Sequence, residues 1–467
     1  MQTLVANPEL TTTQLTKLLY GSNSTSSRTA LRQLRGRVQD KLLNHLFFLD
    51  HSDARLLVSR RYEIECLDLL HKVTILYLEG EYVLTEKLLR RCIRLALQSD
   101  FTNYAEQAVR RLLTLYSEQH KRLLYVAASK QLAELRQKLA DEQEVEQILS
   151  EVNSSLARTV ATRRAVLPKI PAFIEKIEVL HKQSHTFATF SALYRLRLAY
   201  AELVGDYAGI IEYTALANKM LEQGKINERR FDRRFNQFMS VYAHLRGRQP
   251  AKGLKLAAEF AQDMHPTSSN WFFFYEHYIL LALHAGEYEQ AFRLLHIVQK
   301  NPSFTKQRPA AVERWELLEA YTEFVQPQDE LPPRRRNQLA ILAALTVPEH
   351  SRDKRGHNVA ILVFQLLHYL RQQQLEPVLT RLERLRKYQQ RHLRDAPTLR
   401  SRTFLRLLLL MPEADFNLGM LATKSKTLLA ALRQAPLVGE ADAETEIIPY
   451  EALWELTLAI LRQGAPK

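Results

Sequence analysis

The sequence predicts an all-α protein built from antiparallel helix hairpins. Three observations carry that expectation. The first is composition: Leu, Ala, Arg, Glu and Gln dominate, glycine is scarce at 13 of 467 residues, and no proline occurs between Pro8 and Pro168. These are helix-forming residues, and long stretches lack the two strongest helix breakers. The second is periodicity between Trp271 and Pro302. Phe274, Tyr278, Leu281 and Ala285, then Ala291, Leu294, Leu295 and Val298, recur at helical spacing. The third is punctuation. Gly286 separates the two runs, where a residue free to take positive φ can close a helix. Glu287 and Glu289 follow, early in the second helix, where its positive dipole end favours acids. Asn301-Pro302 ends that helix.

The cadence recurs. LYLEGEYVLTEKLL carries Gly80 and Tyr82, AYAELVGDYAGIIEY carries Gly205 and Tyr207, and YAHLRGRQPAKGLKLAAEF carries Gly247 without the tyrosine. From Gly205 to Gly247 is 42 residues, and from Gly247 to Gly286 is 39. Gly80 to Gly205 is 125, about three such steps. The segment at 271–302 resembles a tetratricopeptide repeat, with Tyr275 as the first-helix aromatic, Gly286 at the turn, then Tyr288, Ala291 and the terminal Pro302. Ile279 departs from the family, which has a small residue there, so this pair is expected to be splayed wider. A spacing near forty exceeds the roughly 34 residues of strict tetratricopeptide repeats, so the chain is tetratricopeptide-like. The resemblance implies an α-solenoid whose concave face takes a partner peptide or helix, and it brings no ligand or cofactor with it. The competing architecture is an irregular bundle whose glycines simply cap helices.

A chain of 467 residues exceeds one compact core, but stacked hairpins bury only their neighbours and escape that limit. A hydrophobic content of 46% excludes wholesale disorder. Cys66 and Cys92 are too few for a disulfide framework and are expected to pack on neighbouring helices in a reducing compartment. MQTLVANPEL has no basic start and no long apolar run, so no signal peptide is expected. FLRLLLLMP, 404–412, is too short to span a bilayer. A cytoplasmic protein with no membrane span is the expectation.

Taken in order, 1–50 reads as N-terminal capping helices. Thr11–Tyr20 precedes a polar loop over 22–27, and the next helix is striped by Leu31, Leu34, Val38 and Leu42. This pair also looks faintly like a helix-turn-helix element presenting Arg28, Arg32, Arg35 and Arg37, although the loop is long for such a turn. A first array covers 51–167, with helices at 54–79, 82–98, 102–119, 120–140 and 142–167. Pro168 and Pro171 then mark the best internal boundary. A second array, 168–326, runs through 173–182, 186–203, 207–223, 228–245 and 251–263 to the pair at 271–302, then a helix near 311–325. QPQDELPP, 326–333, reads as a linker. The last region, 327–467, is basic, with helices near 335–345, 358–371, 376–392 and 399–410, an acidic loop (Glu440, Asp442, Glu444, Glu446) and a final helix at 450–461.

The motifs of nucleotide binding, acyl transfer and standard metal centres are absent from the sequence. His277 and His284 lie two turns apart on one helix, and a surface or core role is expected for both. Arg352 and His357 have the Arg-x4-His spacing that resembles helical HEPN ribonucleases, but Gly356 suggests a loop where that family has a helix. Net charge is +14 and regional: 332–412 holds 16 Lys and Arg against five acids, leaving +3 for the other 386 residues. Arg334, Arg335 and Arg336 precede one helix of that region. Arg381, Arg384 and Arg391 line a face of another beside Tyr388, with Arg394, Arg400, Arg402 and Arg406 beyond. Such residues suit nucleic acid or another acidic partner, or the chain's own acidic loop. The function expected first is a non-catalytic scaffold for protein partners, without cofactor. A nucleic-acid-associated protein using 332–412 comes second, and a ribonuclease is a remote third.

Overall fold

The computed structural model describes residues 10–46, 58–156, 162, 165–326, 355–393, 398–436 and 446–464. Among them are twenty α-helices and no strand. The chain divides into two compact units, Met1–Leu56 and Leu57–Lys467.

The first unit is a helix pair, α1 (Thr12–Tyr20) and α2 (Thr25–His45). Thr11 starts α1 with a reciprocal capping box: its Oγ1 accepts from Gln14 N, and Gln14 Oε1 accepts from Thr11 N. Gly21 closes α1 at φ 72°, and Ser24 caps α2 by accepting from Ser27 N. The connection is therefore four residues, Gly21 to Ser24. The loop expected over 22–27 is shorter because Ser24 caps at once and 25–27 are already helical. Leu15 and Leu31 are buried where the helices meet.

The second unit runs α3 (Val58–Leu78), α4 (Tyr82–Gln98), α5 (Thr102–Glu118), α6 (Arg122–Leu156), α7 (Ile170–Ser184), α8 (Phe187–Val204), α9 (Tyr207–Glu222), α10 (Arg233–Arg246), α11 (Pro250–Phe260), α12 (Ser269–His284) and α13 (Tyr288–Gln299). It continues as α14 (Pro309–Phe324), α15 (Arg355–Arg371), α16 (Leu375–His392), α17 (Leu399–Glu413), α18 (Leu418–Lys424), α19 (Lys426–Gln434) and α20 (Tyr450–Gly464). Each helix from α3 to α17 packs on the next. Hydrophobic cores are handed along in the same order. The first spans α3–α6, the second α6–α8, the third α8–α10, and the last runs from α10 to α20. Helices at a hand-over serve two cores: on α8, Leu193 and Leu196 face one and Tyr194 and Leu198 the next. A helix buried on two sides has no single apolar stripe, which is why the expected amphipathic signal is weak along α8 and α12.

One turn geometry repeats nine times. Among the described residues it closes α3, α4, α5, α8, α9, α10, α12, α15 and α17, where one residue adopts positive φ, joined at α17 by Phe416 after Asp415. The N–H of the first such residue donates to the carbonyl three back, and the next N–H donates to the carbonyl five back. This is the Schellman arrangement, which satisfies the last carbonyls of a helix. Only Gly80, Gly205, Gly224 and Gly286 meet it with glycine. Asp100, His120, Arg248, Gln373 and Asp415 adopt the same conformation. The αL residues 80, 100 and 120 are evenly spaced by twenty because α4 and α5 each have 17 residues and each turn adds three. Two such steps make the forty-residue hairpin period. Gly247 is not the αL residue, as its motif position suggested: its φ is −77° and Arg248 takes the turn. Glycine is needed at 247 for space, since a Cβ there would sit 2.8 Å from the Ala243 carbonyl oxygen and 3.3 Å from Tyr207 Cβ. Tyr82, Tyr207 and Tyr288 each open the helix after their turn, and Ala291 is fully buried.

Several helices differ from expectation. The two expected at 120–140 and 142–167 form one 35-residue helix, α6, because nothing at 140–142 breaks it and Asp141 is held, buried, by Gln137. The helix expected from Glu228 begins at Arg233, capped by the Asp232 carboxylate, and 225–232 is a loop. Gly356, expected in a loop, lies in the first turn of α15. The helices α18 and α19 were not expected. One core, formed by residues such as Val145, Val152, Ile170 and Leu196, spans Pro168 and Pro171. All but Gln326 of the linker expected at 326–333, and the helix expected at 335–345, lie outside the described residues. Cys66 and Cys92 are both buried on neighbouring α3 and α4, with Cys92 Sγ 3.8 Å from the Cys66 carbonyl.

Three helices meet closely at Gly253 on α11. A Cβ there would lie 2.7 Å from both His244 Cβ and a Leu281 methyl, so α10, α11 and α12 meet only over a hydrogen atom. Gly253→Ala is expected to lower stability by about 1–3 kcal/mol through overpacking, despite alanine's better helix propensity. Chemical denaturation of the two proteins measures it.

Candidate functional site

The loop Lys225–Asp232 folds back across the stack. Asn227 Oδ1 accepts from Arg229 N, shaping a turn, while its Nδ2 donates to Asp100 Oδ2 at 2.7 Å and to the Gln98 carbonyl at 2.9 Å. Arg230 donates to the Asp100 carbonyl at 2.5 Å. Its guanidinium carbon lies 4.2 Å from the Phe101 ring centroid and 4.9 Å from that of Phe187. Arg229 lies over Tyr62 at 4.8 Å. The loop thus fastens the α9–α10 connection to the α4–α5 turn, about 130 residues earlier.

The clasp roofs a cleft of about 480 Å³. Glu63 comes from α3, Asp100 and Phe101 from the α4–α5 turn, Thr102 from α5, Glu142 and Glu146 from α6, and Ala188 and Ala192 from α8. Leu139, Val145 and Leu149 supply apolar wall. Four acidic residues and one arginine therefore line the cleft. Burial pushes the Glu142 carboxyl above its ordinary value, although Thr102 Oγ1 donates to it at 2.6 Å. Burial likewise lowers the Arg230 guanidinium, against the pull of Glu142, Asp100 and Glu63. Tyr104 donates to Glu63 Oε1 at 3.1 Å, and burial with that neighbour lifts its phenol to about 12. A partly desolvated acidic cleft with apolar walls suits a cationic head on an aliphatic stem, the shape of a lysine or arginine side chain.

None of these residues stood out in the sequence as a binding group. The available signal was Arg229-Arg230 beside Asn227, in a stretch opened by Gly224. Of the residues expected to bind anions, Arg381, Arg384 and Arg391 are described and share one helix. Arg334, Arg335, Arg336, Arg352 and Arg394 lie outside the described residues, as do Glu440, Asp442 and Glu444 and the side chain of His357. On α16, Arg384 and Arg391 are exposed, while Arg381 is half-buried with its guanidinium 5.4 Å from the Tyr369 ring centroid. Tyr388 packs against the C-terminal core. Arg371 lies 3.6 Å over the Phe324 ring and donates to the Phe324 carbonyl; burial lowers it to about 10. Arg400, expected to extend the basic surface, is buried instead and clamps Glu446 and Glu451, with both its Nη groups and Nε engaged. His284 Nε2 donates to the Glu446 carbonyl at 2.7 Å, and His277 Nδ1 donates to the Phe273 carbonyl beside Phe238 and Tyr242. Both histidines are pushed below their ordinary values by burial. Among the described residues no helix is long and apolar enough to cross a membrane.

No protein-family model matches the chain, and no curated protein matches it. Among solved structures it is similar to the crystal structure of the P58(IPK) TPR domain. The identity is 12% over 86% of this chain and 99% of that one, at a TM-score of 0.22. That superposition is loose, and the all-α hairpin architecture stands on the helix packing of this chain itself.

Proposed function

We propose that the chain is a non-catalytic helical-repeat scaffold, and that the cleft at Arg230 receives a protein segment bearing an exposed lysine or arginine. The observation that carries this reading is the surplus of four acidic residues over one arginine in a cleft walled by separate helices. Neighbouring repeats present such surfaces without catalytic groups. Charge complementarity would give selectivity more than raw affinity. The exposed Glu146 on α6 is the residue to change. Capture of partners from native lysate by tagged protein is expected to yield a protein that survives nuclease and moderate salt. Glu146→Lys should reduce that protein at least several-fold without altering far-ultraviolet circular dichroism. Partners that vanish on nuclease treatment, or that ignore Glu146→Lys, would contradict it.

A second reading places nucleic acid on α16, favoured by the exposed Arg384 and Arg391. It is weakened by the internal use of Arg371 and Arg400.

A further inference from the structure

We propose that the α1–α2 pair of the first unit is a docking surface for the phosphodiester backbone of duplex DNA. Residues 10–46 hold six cations, Lys17, Arg28, Arg32, Arg35, Arg37 and Lys41, and one acid, Asp40. The chain as a whole is far more balanced, at 65 against 51.

Geometry concentrates this charge. Arg28, Arg32 and Arg35 stand at i, i+4 and i+7, so they share one face of α2 and span about 10 Å along its axis. Arg37 faces the opposite side. The three arginines line a groove of about 450 Å³ with Thr12, Thr25, Thr29 and Leu31, and among the described residues no acid lines it. Arg28 Nε donates to Asn23 Oδ1 at 2.9 Å and Arg35 Nη2 to Thr12 Oγ1 at 3.4 Å. These contacts steady the guanidinium groups and use few of their five donors each. Thr12 is the first residue of α1, so the positive end of that helix opens onto the same groove.

A row of three arginines and three hydroxyls matches a ligand whose negative charge repeats along its length. Among the described residues no aromatic side chain lines the groove, whereas surfaces for single strands stack bases on aromatics. Duplex is therefore favoured. The four-residue connection through Gly21 has the length of a helix-turn-helix turn, and the exposed N-terminal half of α2 has the diameter that a major groove admits.

The test uses the full chain and a labelled mixed-sequence 20-base-pair duplex in fluorescence anisotropy, titrated across salt concentration. Wild type is expected to bind with a steep salt dependence. Arg28→Gln with Arg32→Gln and Arg35→Gln should weaken binding at least tenfold and flatten the slope of log K against log salt by about 2.7. The single change Arg32→Gln, at an exposed position, should flatten it by about 0.9 and guards against misfolding of the triple variant. Arg384→Gln with Arg391→Gln should leave the slope intact. The proposal is overturned if wild type shows no salt-dependent duplex binding. It is equally overturned if Arg32→Gln leaves the slope unchanged, if the α16 pair carries the effect, or if a single strand of the same length binds more tightly.

Discussion

Arg400→Ala is expected to destabilise the protein by about 3–5 kcal/mol, the usual cost of removing one partner from a buried ionic group. Arg400 is 9% exposed, and the Glu446 and Glu451 side chains it clamps are 15% and 25% exposed. It also donates to the Leu432 carbonyl at 2.6 Å, so its loss removes the charged donor from two carboxylates and a carbonyl, leaving Glu446 the Tyr450 N–H at 3.3 Å. The clamp joins α17 to α20, beside Ser401 hydrogen-bonded to Tyr450 and Phe404 stacked on the Tyr450 ring. Denaturant unfolding of the variant should show an early loss of the α20 contacts. The pH dependence has a defined sign. Burial acts against the Glu451 carboxylate, but the hydrogen bonds and charge of Arg400 hold its carboxyl below the ordinary range. A depressed folded value stabilises above the unfolded value, near 4.3, and that contribution fades as pH falls through the folded value. Wild type should therefore lose stability on acidification below about pH 4, and Arg400→Ala should lose less of it.

Glu323→Gln is expected to act in the opposite direction. Glu323 on α14 is 4% exposed, and burial raises its carboxyl to about 7. A raised folded value means the native state holds the proton more tightly than the unfolded chain. Stability therefore falls as pH rises from about 4.3 through 7, by about 3–4 kcal/mol in all. Glutamine keeps the shape and never ionises. Thermal unfolding should show a higher Tm for Glu323→Gln at pH 8 and no gain at pH 4. An equal shift at both pH values would mean the change acts through packing.

What was legible in the sequence was local. Apolar spacing, caps and prolines placed most helices of the stack, because those signals lie within one helix of the residue concerned. The forty-residue period was legible through Gly80, Gly205 and Gly286. The same turn at Asp100, His120, Arg248, Gln373 and Asp415 was not, since the surrounding contacts hold these residues at positive φ without glycine. The unbroken course of α6 is hidden because Glu142, Glu144 and Glu146 have the composition of an acidic first turn. The cleft was least legible. Asn227 meets Asp100 across 127 residues and Arg400 meets Glu446 across 46, and no periodicity reports on such pairs. A basic side chain met in sequence does not declare whether it faces solvent, as Arg384 does, or a buried carboxylate, as Arg400 does.

Hydrogen exchange of the full chain, alone and with its nuclease-resistant partner, tests the central claim most directly. If the acidic cleft is the binding surface, protection should rise over the α4–α5 turn at 99–103, over the middle of α6 at 139–149 and over the 225–232 loop, and Glu146→Lys should abolish it. Protection confined to other helices, with these three segments exchanging as in the free protein, would contradict the assignment.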